Sequence, residues 1–218
     1  MVKVKLINYT KDGMHLISSM AKATRQNELD EAWLDNDIYK KIKLTFHSDE
    51  AFVKQLIKIG HLGVLEHITF TFHISEISRC CSHQLVRHRI ASYLQMSNRH
   101  TKPNREDYVI PTSIRKTKYE NVANAYADSI NDSYSKYGKL IDMDVPIEDA
   151  RYVLPPAFFT HISMTMNLRQ ILHFLELRLT KDAQHEIREL ACKIFDICYE
   201  KYPVCLESVK ELRNENEL

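Results

Sequence analysis

Two stretches of the chain alternate apolar and polar side chains, which is the pattern of a β-strand with one buried face. In the first, Ile68, Phe70, Phe72 and Ile74 alternate with Thr69, Thr71 and His73. The second is the segment 158–166, which reads FFTHISMTM. We therefore predict strands over residues 68–74 and 158–166, each with its apolar side chains turned towards a core.

Other segments repeat their apolar residues every three or four positions, which is typical of amphipathic helices. These segments are 49–60, 76–88, 117–141, 168–180 and 182–200. Ser48 or Asp49 is a suitable N-cap for the first of them, and Gly60 suits its C-terminal end. Pro146 suits the first position of a further short helix, which ends before Pro155.

Strands mixed with helices, without a βαβ repeat, predict an α+β fold with a central, mainly antiparallel sheet flanked by helices. The 218 residues contain no internal repeat and no linker rich in Pro, Gly or Ser, so we expect a single domain over 1–218. The start, MVKVKLINYTKDG, lacks the apolar run of a signal peptide, and no stretch has the length of a membrane span. We therefore expect a cytoplasmic protein with no membrane partner.

The overall charge disfavours a nucleic-acid binder. Lys and Arg number 30 against 29 Asp and Glu, so the formal net charge is +1. A protein that binds a polyanion by counterion release normally carries a basic excess or a broad basic stripe. The chain also has only four glycines, which excludes a Gly-rich phosphate loop. Any bound phosphate is therefore expected to be held by side chains or helix N-termini.

The cysteines and histidines do not predict a metal site. Five cysteines include no Cys-x-x-Cys pair, and the histidine spacings match no zinc motif. Cys192 and Cys198 lie in an apolar helical pattern and are expected to be reduced core residues. We expect Cys80 and Cys81 to serve packing, and His73 to face solvent or to be paired.

The window RHRIASYLQMSNRH, residues 87–100, concentrates cationic and hydroxyl groups in one short segment. If the chain is extended, Arg87 and Arg89 share one side with His88 on the other, and Ser97 shares a side with Arg99. Arginine forks and serine hydroxyls suit phosphate oxygens, so the window could form a pocket for a small anion. The alternative is that the same residues form a solvated helix end, where their cations interact favourably with the helix dipole.

The predicted helix 168–180 carries cations on opposite sides. At roughly 100° per residue, Arg169 and His173 lie about 40° apart, whereas Arg178 lies roughly 180° from Arg169. In one interpretation, Glu176, Asp182 and Glu186 neutralise these arginines as ordinary ion pairs. In the other, the helix lies between two ligand-binding surfaces, including one formed across a subunit boundary.

The window contains an RHR-x7-S signature, which runs from Arg87 to Ser97 and closely resembles that of flavin-dependent thymidylate synthases. The other matching segments, between about residues 48 and 206, are GH…EHITFTF over 60–72, Gln84, RYVLP over 151–155, NLR over 167–169, FLELR over 174–178 and AQHEI over 183–187. Several ordered motifs that agree are more specific than any one of them.

The resemblance implies reductive methylation of dUMP to dTMP. In that family, 5,10-methylenetetrahydrofolate supplies the carbon, FAD carries the hydride and NADPH reduces the flavin. The resemblance also implies a homotetramer whose active sites are shared between subunits, and it requires no enzyme thiol.

The family pattern assigns roles to individual residues of this chain. For FAD it implies Gly63, Arg87, His88, Arg89, Gln95, Asn167, Arg169 and His173. For dUMP it implies Gln84, Arg87, Gln95, Met96, Ser97, Asn98, Arg99, Arg151 and Arg178. Arg178 resembles the catalytic arginine that polarises the uracil ring, and Arg151 is expected to reach dUMP from another subunit.

The chain departs from the family pattern at a few positions. Gly63 stands where relatives usually have Ser or Thr, so a flavin contact there must come from the backbone. Leu62 replaces a frequent Glu, and His100 stands where Tyr is usual. Two other functions compete with the implied one: a nucleotide- or RNA-binding module, and a flavoprotein oxidoreductase that consumes NADPH without methylating.

Overall fold

In a computed structural model, which describes residues 2–23, 48–97, 99 and 101–216, four strands form one open antiparallel sheet. The strands are β1 (Lys3–Tyr9), β2 (Thr69–Ser78), β3 (Ala91–Gln95) and β4 (Phe159–Asn167). Their order is β1-β2-β4-β3, and every neighbouring pair is antiparallel. The predicted α+β class, the antiparallel sheet and both predicted strands are confirmed.

The longer helices alternate with the strands along the chain. They are α1 (Gly13–Ala23), α2 (Asp49–Lys58), α3 (Arg79–Leu85), α4 (Glu120–Asp142), α5 (Leu168–Arg178) and α6 (His185–Lys201). Shorter helical turns cover Thr112–Arg115, Ile147–Ala150, Pro203–Leu206 and Lys210–Asn214, and 3₁₀ turns cover Leu62–His67, Arg151–Val153 and Glu207–Val209. None of these described helices is both long enough and apolar enough to cross a membrane.

The predicted helices are present, although several of their ends differ from the prediction. Ser48 is the N-cap of α2, where its hydroxyl accepts from the Ala51 amide, and Gly60 follows that helix with a φ of +82°. The predicted helix 76–88 begins late because β2 continues to Ser78. Pro146 is an N-cap rather than a first helical residue, because its ψ of 141° is extended. Helices α5 and α6 are separated by residues 179–184.

An irregularity in β2 sets the direction in which the chain enters α3. The register with β4 shifts between Ile74 and Ile77, and Glu76 has a φ of 56° within this bulge. Because side chains alternate along a strand, the shift turns Ile77 rather than Glu76 towards the core. Ile77 and Ser78 are both buried, so the strand delivers Ser78 to the interior at the point where α3 begins.

The core lies on one face of the sheet, beneath α5 and α6. Phe70 and Phe72 project from β2 with no exposed surface, and their rings stack with centroids 5.8 Å apart. Buried residues from the helices complete this cluster, namely Leu168, Ile171, Phe174 and Leu175 of α5 and Ile187, Leu190, Ile194 and Phe195 of α6. The apolar stripe predicted for α5 therefore packs against the sheet, and the apolar side chains of α6 join the same core.

The opposite face of the sheet is mostly polar in the described residues, although the exposed Leu94 of β3 lies on it beside Ser163. The hydroxyls of Thr71 and Thr165 are 3.0 Å apart, and the rings of His73 and His161 lie 5.6 Å apart. The lysine of β1 opposite His73, Lys5, is exposed. His73 is half-buried and lies beside another ring, which agrees with the expectation that it faces solvent or is paired.

The N-terminal strand was not predicted, although its sequence carries a short alternation. Val4 and Leu6 pack against the core while Lys3 and Lys5 face outwards.

Close packing at the start of α1 explains why residue 13 is a glycine. A Cβ on Gly13 would lie 2.7 Å from the hydroxyl of Tyr202, which accepts a hydrogen bond from the Gly13 amide. Only glycine allows this approach.

The cysteines are free thiols, and most of them are buried. Cys192 and Cys198 lie in the core as predicted, and Cys81 and Cys205 are buried as well. The prediction that Cys80 serves packing is wrong, because Cys80 is exposed. Cys80 lies on the exposed side of the short helix α3, whereas its neighbour Cys81 lies on the buried side.

The one-sided core generates a stability prediction. We expect Phe72→Ala to lower the free energy of unfolding by about 3–5 kcal/mol, because it leaves a cavity where a large side chain is fully buried. The exposed Lys5, which lies on the other face, is the control, and Lys5→Ala should change that free energy by less than about 0.5 kcal/mol. Urea unfolding followed by circular dichroism measures both. Equal effects of the two substitutions would contradict the one-sided core.

Candidate active site

A buried carboxylate fixes the helix that leads to the RHR segment. Ser78 is the N-cap of α3, and its hydroxyl accepts from the Cys81 amide at 3.0 Å. Glu186, in the first turn of α6, accepts from both the amide and the hydroxyl of Ser78 at 2.6 Å. The interpretation of Glu186 as an ion-pair partner of the α5 arginines is therefore wrong. This carboxylate instead ties the start of α3 to the start of α6.

The RHR segment follows α3 directly and alternates between solvent and interior. Arg87 and Arg89 are exposed, whereas His88 is only 5% exposed, so the predicted division of sides is present although residues 86–87 form a turn rather than an extended segment. The hydroxyl of Tyr93 donates to the carbonyls of Leu85 and His88 at 3.0 and 2.9 Å. Since Tyr93 belongs to β3, these bonds fix the turn against the sheet.

The buried imidazole of His88 meets the guanidinium at the end of α5. Arg178 Nε donates to His88 Nε2 at 3.1 Å, and the imidazole packs edge-on against Phe174 with centroids 4.9 Å apart. The ring of His173 lies 6.3 Å away. Burial and the nearby charge of Arg178, with a smaller contribution from His173, lower the pKa of His88 to about 4. His88 is therefore neutral at physiological pH and carries its proton on Nδ1, since Nε2 accepts.

The first turn of α5 holds a second group of predicted residues. Asn167 is the N-cap of α5 and accepts from the Gln170 amide at 2.8 Å. Arg169 forms an ion pair of 2.5 Å with Glu66, which belongs to the same 3₁₀ turn as Gly63. The partner of Arg169 is thus none of the three carboxylates considered from the sequence. Glu176 instead lies 3.9 Å from His173.

A cavity of about 320 Å³ opens beside α3 and presents two arginines. Its lining consists of Arg79, His83, Arg151, Tyr152, Leu154, Pro155, Pro156 and Phe158. Arg79 Nη2 donates to the carbonyl of Met96 at 3.2 Å, while its buried Nε has no hydrogen-bond partner among the described residues. Burial and the charge of Arg151 lower the pKa of Arg79. Two like charges beside one cavity favour an anion over a cation there.

The end of the 87–100 window is linked by hydrogen bonds to residues that line this cavity. Arg99 binds the carboxylate of Glu148 through Nε and Nη2 at 2.8 and 2.7 Å, and its amide donates to the Ser97 hydroxyl at 3.3 Å. The carbonyl of Glu148 accepts from Arg151 Nε at 2.9 Å. Glu148 therefore holds Arg99 and Arg151 close together, and the predicted Asn98 lies outside the described residues.

Gln95 and Gln84 have different surroundings. The amide of Gln95 donates to the hydroxyls of Ser82 and Thr160 at 2.9 and 3.1 Å, which joins β3 to α3 and β4. Gln84 is half-buried in the last turn of α3, immediately before the RHR segment. The amide nitrogen of Gln95 is thus already engaged within the chain, whereas Gln84 lies beside the turn that leads to Arg87.

The described chain thus collects ten of the predicted residues into three groups, whereas Gln84, Arg87, Arg89 and Gln95 belong to none of them. The first is His88, His173 and Arg178; the second is Gly63, Asn167 and Arg169; the third is Met96, Ser97, Arg99 and Arg151. Arg79 and His83, which line the cavity with Arg151, were not among the predicted site residues. The available signal was their spacing of four residues, with Arg87 four further on, which places all three on one face of the predicted helix 76–88.

The charged groups of the site suit anionic ligands rather than a metal ion. Within the described ranges, no three His, Cys, Asp or Glu side chains come close enough together to hold a metal. The exposed donors are guanidinium groups, which match phosphate oxygens in pairs. The arrangement can therefore bind phosphorylated molecules and stabilise negative charge that develops on them.

Comparison with known proteins gives consistent matches over most of the chain. The family described as Thymidylate synthase complementing protein matches residues 5–204. A flavin-dependent thymidylate synthase of Saccharolobus solfataricus is 43% identical over 227 residues, which cover 100% of this chain and 83% of the relative. Those of Sulfolobus acidocaldarius and Pyrococcus furiosus are 44% and 41% identical, and the matches cover 89% and 90% of this chain and 72% and 78% of the relatives.

The low pKa of His88 predicts an acid-sensitive fold. Above about pH 6.5 the imidazole is neutral in both the folded and the unfolded chain. As the pH falls towards about 4, the imidazole of the unfolded chain takes up a proton, whereas that of the folded chain does not. The free energy of unfolding should therefore fall with decreasing pH in this window, by at most about 1.4 kcal/mol per pH unit from this group. Urea unfolding at a series of pH values measures it.

The variant His88→Gln isolates the contribution of this imidazole, because glutamine does not titrate. Its free energy of unfolding should fall less steeply between pH 6.5 and 4 than that of the unsubstituted protein. The exposed His161 provides the matched variant, and His161→Gln should leave the slope unchanged. A slope unaffected by His88→Gln would show that His88 titrates normally in the folded chain.

Proposed function

Because the chain belongs to the flavin-dependent thymidylate synthase family, we propose that it methylates dUMP reductively to dTMP. In this reaction 5,10-methylenetetrahydrofolate supplies the carbon, and NADPH is the reductant. The observation that carries the proposal is the family match over residues 5–204, together with relatives of that name at 41–44% identity. The RHR-x7-S signature and the clustering of cations around it support the proposal.

The phosphate of dUMP is proposed to bind at the cavity beside α3. Arg79 has a buried Nε that lacks a partner among the described residues, and Arg151 of the same chain lines the same cavity. This proposal therefore replaces the expectation that Arg151 reaches dUMP from another subunit. Ser97 and Arg99 follow Met96, whose carbonyl binds Arg79, and Arg99 shares Glu148 with Arg151. The exposed ion pair between Arg99 and Glu148 contributes little stability, so a phosphate can replace this carboxylate at low cost. We also propose that Asn98, which lies between Ser97 and Arg99 in the sequence, contacts dUMP.

Arg178 is proposed as the catalytic residue, because its guanidinium can donate to the uracil ring. A fixed cation beside the ring favours its ionised form and makes the ring carbon nucleophilic. Such preorganised charge in a site that excludes water lowers a barrier by about 3–4 kcal/mol. Gln84 and Arg87 are proposed to contact the same nucleotide, since both lie in the turn that ends at His88.

The residues present also fit a flavin dinucleotide. Arg87 and Arg89 are exposed, and the guanidinium of Arg169 is half-exposed beside a carboxylate that a pyrophosphate can replace. The N-cap bond of Asn167 uses its amide oxygen, so its amide nitrogen is available to donate. A Cβ on Gly63 would meet nothing within 4 Å, so its backbone is accessible. When bound, FAD supplies the hydride transfer.

Four other residues that the resemblance implies are assigned here to side-chain or backbone contacts with a ligand. We propose that His173, exposed on α5, contacts FAD through its side chain. His88 is proposed to do so through its backbone, because its side chain is turned inwards. Gln95 and Met96, at the end of β3, are proposed to contact ligand through backbone groups or through the amide oxygen of Gln95, since its amide nitrogen is engaged.

We propose further that the enzyme is a homotetramer with shared active sites. Large apolar side chains next to site residues are exposed in the single chain: Ile90 is 68%, Leu94 77% and Tyr152 82% exposed. Exposed apolar groups beside a polar site are typical of subunit interfaces. A measured mass close to that of the single chain would refute this assembly.

Two further assignments accompany this function. We propose a single domain over 1–218, supported by a core cluster that includes residues from Val2 to Val209. We also propose a cytoplasmic location, supported by free thiols that suit a reducing compartment. Nucleic acid and membranes are not proposed as partners.

The decisive experiment is anaerobic product analysis with dUMP, methylenetetrahydrofolate, NADPH and FAD together. We expect dTMP from the purified protein, which should be yellow from bound flavin. Arg178→Ala should keep its visible absorbance and lose about a hundredfold to a thousandfold in turnover, because it removes transition-state stabilisation. Arg105→Ala is the control, since Arg105 donates to Asn131 on the exposed surface.

The outcomes separate the competing functions. NADPH consumption without dTMP would identify a different flavoprotein oxidoreductase. A colourless protein whose affinity for RNA falls steeply with salt would identify a nucleic-acid-binding module. Near-normal turnover of Arg178→Ala would remove the catalytic role from that residue.

The cavity generates a second prediction, concerning the phosphate of the substrate. Arg79→Gln keeps a donor for the Met96 carbonyl but removes the positive charge. We expect the KM for dUMP to rise about tenfold to a hundredfold, because a charge-assisted hydrogen bond is lost, while kcat changes little. Turnover of deoxyuridine, which lacks the phosphate, should not change. Equal losses with both substrates, or the same loss in Arg105→Gln, would contradict the assignment.

A further inference from the structure

We propose that His88 is the positioning residue for Arg178: its imidazole holds the guanidinium Nε so that the Nη groups face the uracil ring. This inference rests on the proposed function, and it goes beyond the family pattern, in which His88 is a flavin contact. The carrying observation is that Arg178 Nε donates to His88 Nε2 at 3.1 Å.

The imidazole is held in place from several sides. Its ring contacts Phe174 edge-on, and the hydroxyl of Tyr93 donates to the His88 carbonyl at 2.9 Å. The His88 amide donates to the Leu85 carbonyl at 3.1 Å. With a side chain only 5% exposed, His88 therefore offers a fixed acceptor to the guanidinium rather than a mobile one.

A single bond at Nε is sufficient to orient an arginine. The guanidinium is planar and carries five N–H donors, of which one is on Nε and four are on the Nη atoms. When Nε is bound, the plane of the group is restricted. One Nη N–H runs parallel to the bound Nε–H, and the other three Nη N–H donors point in other directions and stay available for a ligand. A displacement of about 1 Å in such a group can cost about a hundredfold in rate. Holding Nε is thus a means of preorganising Arg178.

The groups that face His88 keep its imidazole neutral, which is the form in which Nε2 accepts a hydrogen bond. From α5 it faces Arg178 and His173, and from β3 it faces Tyr93, whose pKa is raised to about 12 by burial. The cation beside it and its burial oppose protonation, so the pKa of His88 is lowered. An imidazolium would have no lone pair for Arg178 and would repel it.

Substitutions that keep or remove the acceptor test the proposal. His88→Gln places an amide oxygen near the position of Nε2, so it should keep kcat within about threefold of the unsubstituted enzyme, as expected for a preserved hydrogen bond. His88→Leu should lower kcat about tenfold to a hundredfold, because a buried donor loses its partner. Both should keep their flavin absorbance. His161→Gln, on the other face of the sheet, should not change kcat.

A double substitution distinguishes positioning from independent catalysis. If His88 acts through Arg178, His88→Leu should cost little further activity in an Arg178→Ala background. Additive losses would overturn the proposal. So would loss of flavin from both His88 variants at unchanged kcat per bound flavin, which would identify a side-chain contact with the cofactor.

A measurement without substrate separates this inference from the proposed function. In ¹⁵N-labelled protein at pH 7, the His88 resonances, assigned by their loss in His88→Gln, should show a neutral ring protonated on Nδ1. The Nε2 resonance should shift in Arg178→Ala. A ring protonated on Nε2, or an unchanged resonance, would overturn the positioning role even in an enzyme that makes dTMP. The expected spectrum in a protein that makes no dTMP would leave the contact intact and refute only the proposed function.

Discussion

The pairing of β2 with β4 is the constraint on which the arrangement of the site depends. The strands are antiparallel, with Thr69 opposite Asn167 at one end and Ser78 opposite Phe159 at the other. Each strand passes into a helix without a loop, β2 into α3 and β4 into α5. The two helices therefore start at opposite ends of the strand pair and run back towards each other. Their C-terminal ends meet where Arg178 reaches His88.

The carboxylates of the site divide into two kinds with different consequences. Glu186 is buried and accepts two short hydrogen bonds from Ser78, so it belongs to the framework that holds α3 in place. Glu66 and Glu148 are about half-exposed and bind Arg169 and Arg99. Such exposed pairs contribute about 0–1 kcal/mol, so they keep the arginines extended without competing strongly with phosphate. A rigid frame and exchangeable counter-charges suit a site that binds and releases anions.

The sequence could predict those parts of the fold that depend on neighbouring residues. The strands around Phe70 and Met164 and the N-cap at Ser48 follow from local periodicity and capping chemistry. Strand β1 was missed because Val4 and Leu6 form too short an alternation to distinguish from a loop. Arg79 was missed because its spacing from His83 is only a weak local signal, and Arg151, which shares its cavity, lies far along the chain. The start of α3 was misplaced because only the bulge in β2, which depends on β4, moves Ser78 inwards.

The sequence by itself determined the α+β class, the positions of most helices and strands, and the family, since periodicity and ordered motifs are read directly from the order of residues. Only the tertiary structure decided that His88 turns inwards to Arg178, that Glu186 binds Ser78, and that Arg79 and Arg151 share one cavity. Each of these contacts joins residues far apart along the chain. Their geometry depends on strand register, on a bulge and on helix lengths acting together, and no local pattern of side chains encodes that combination.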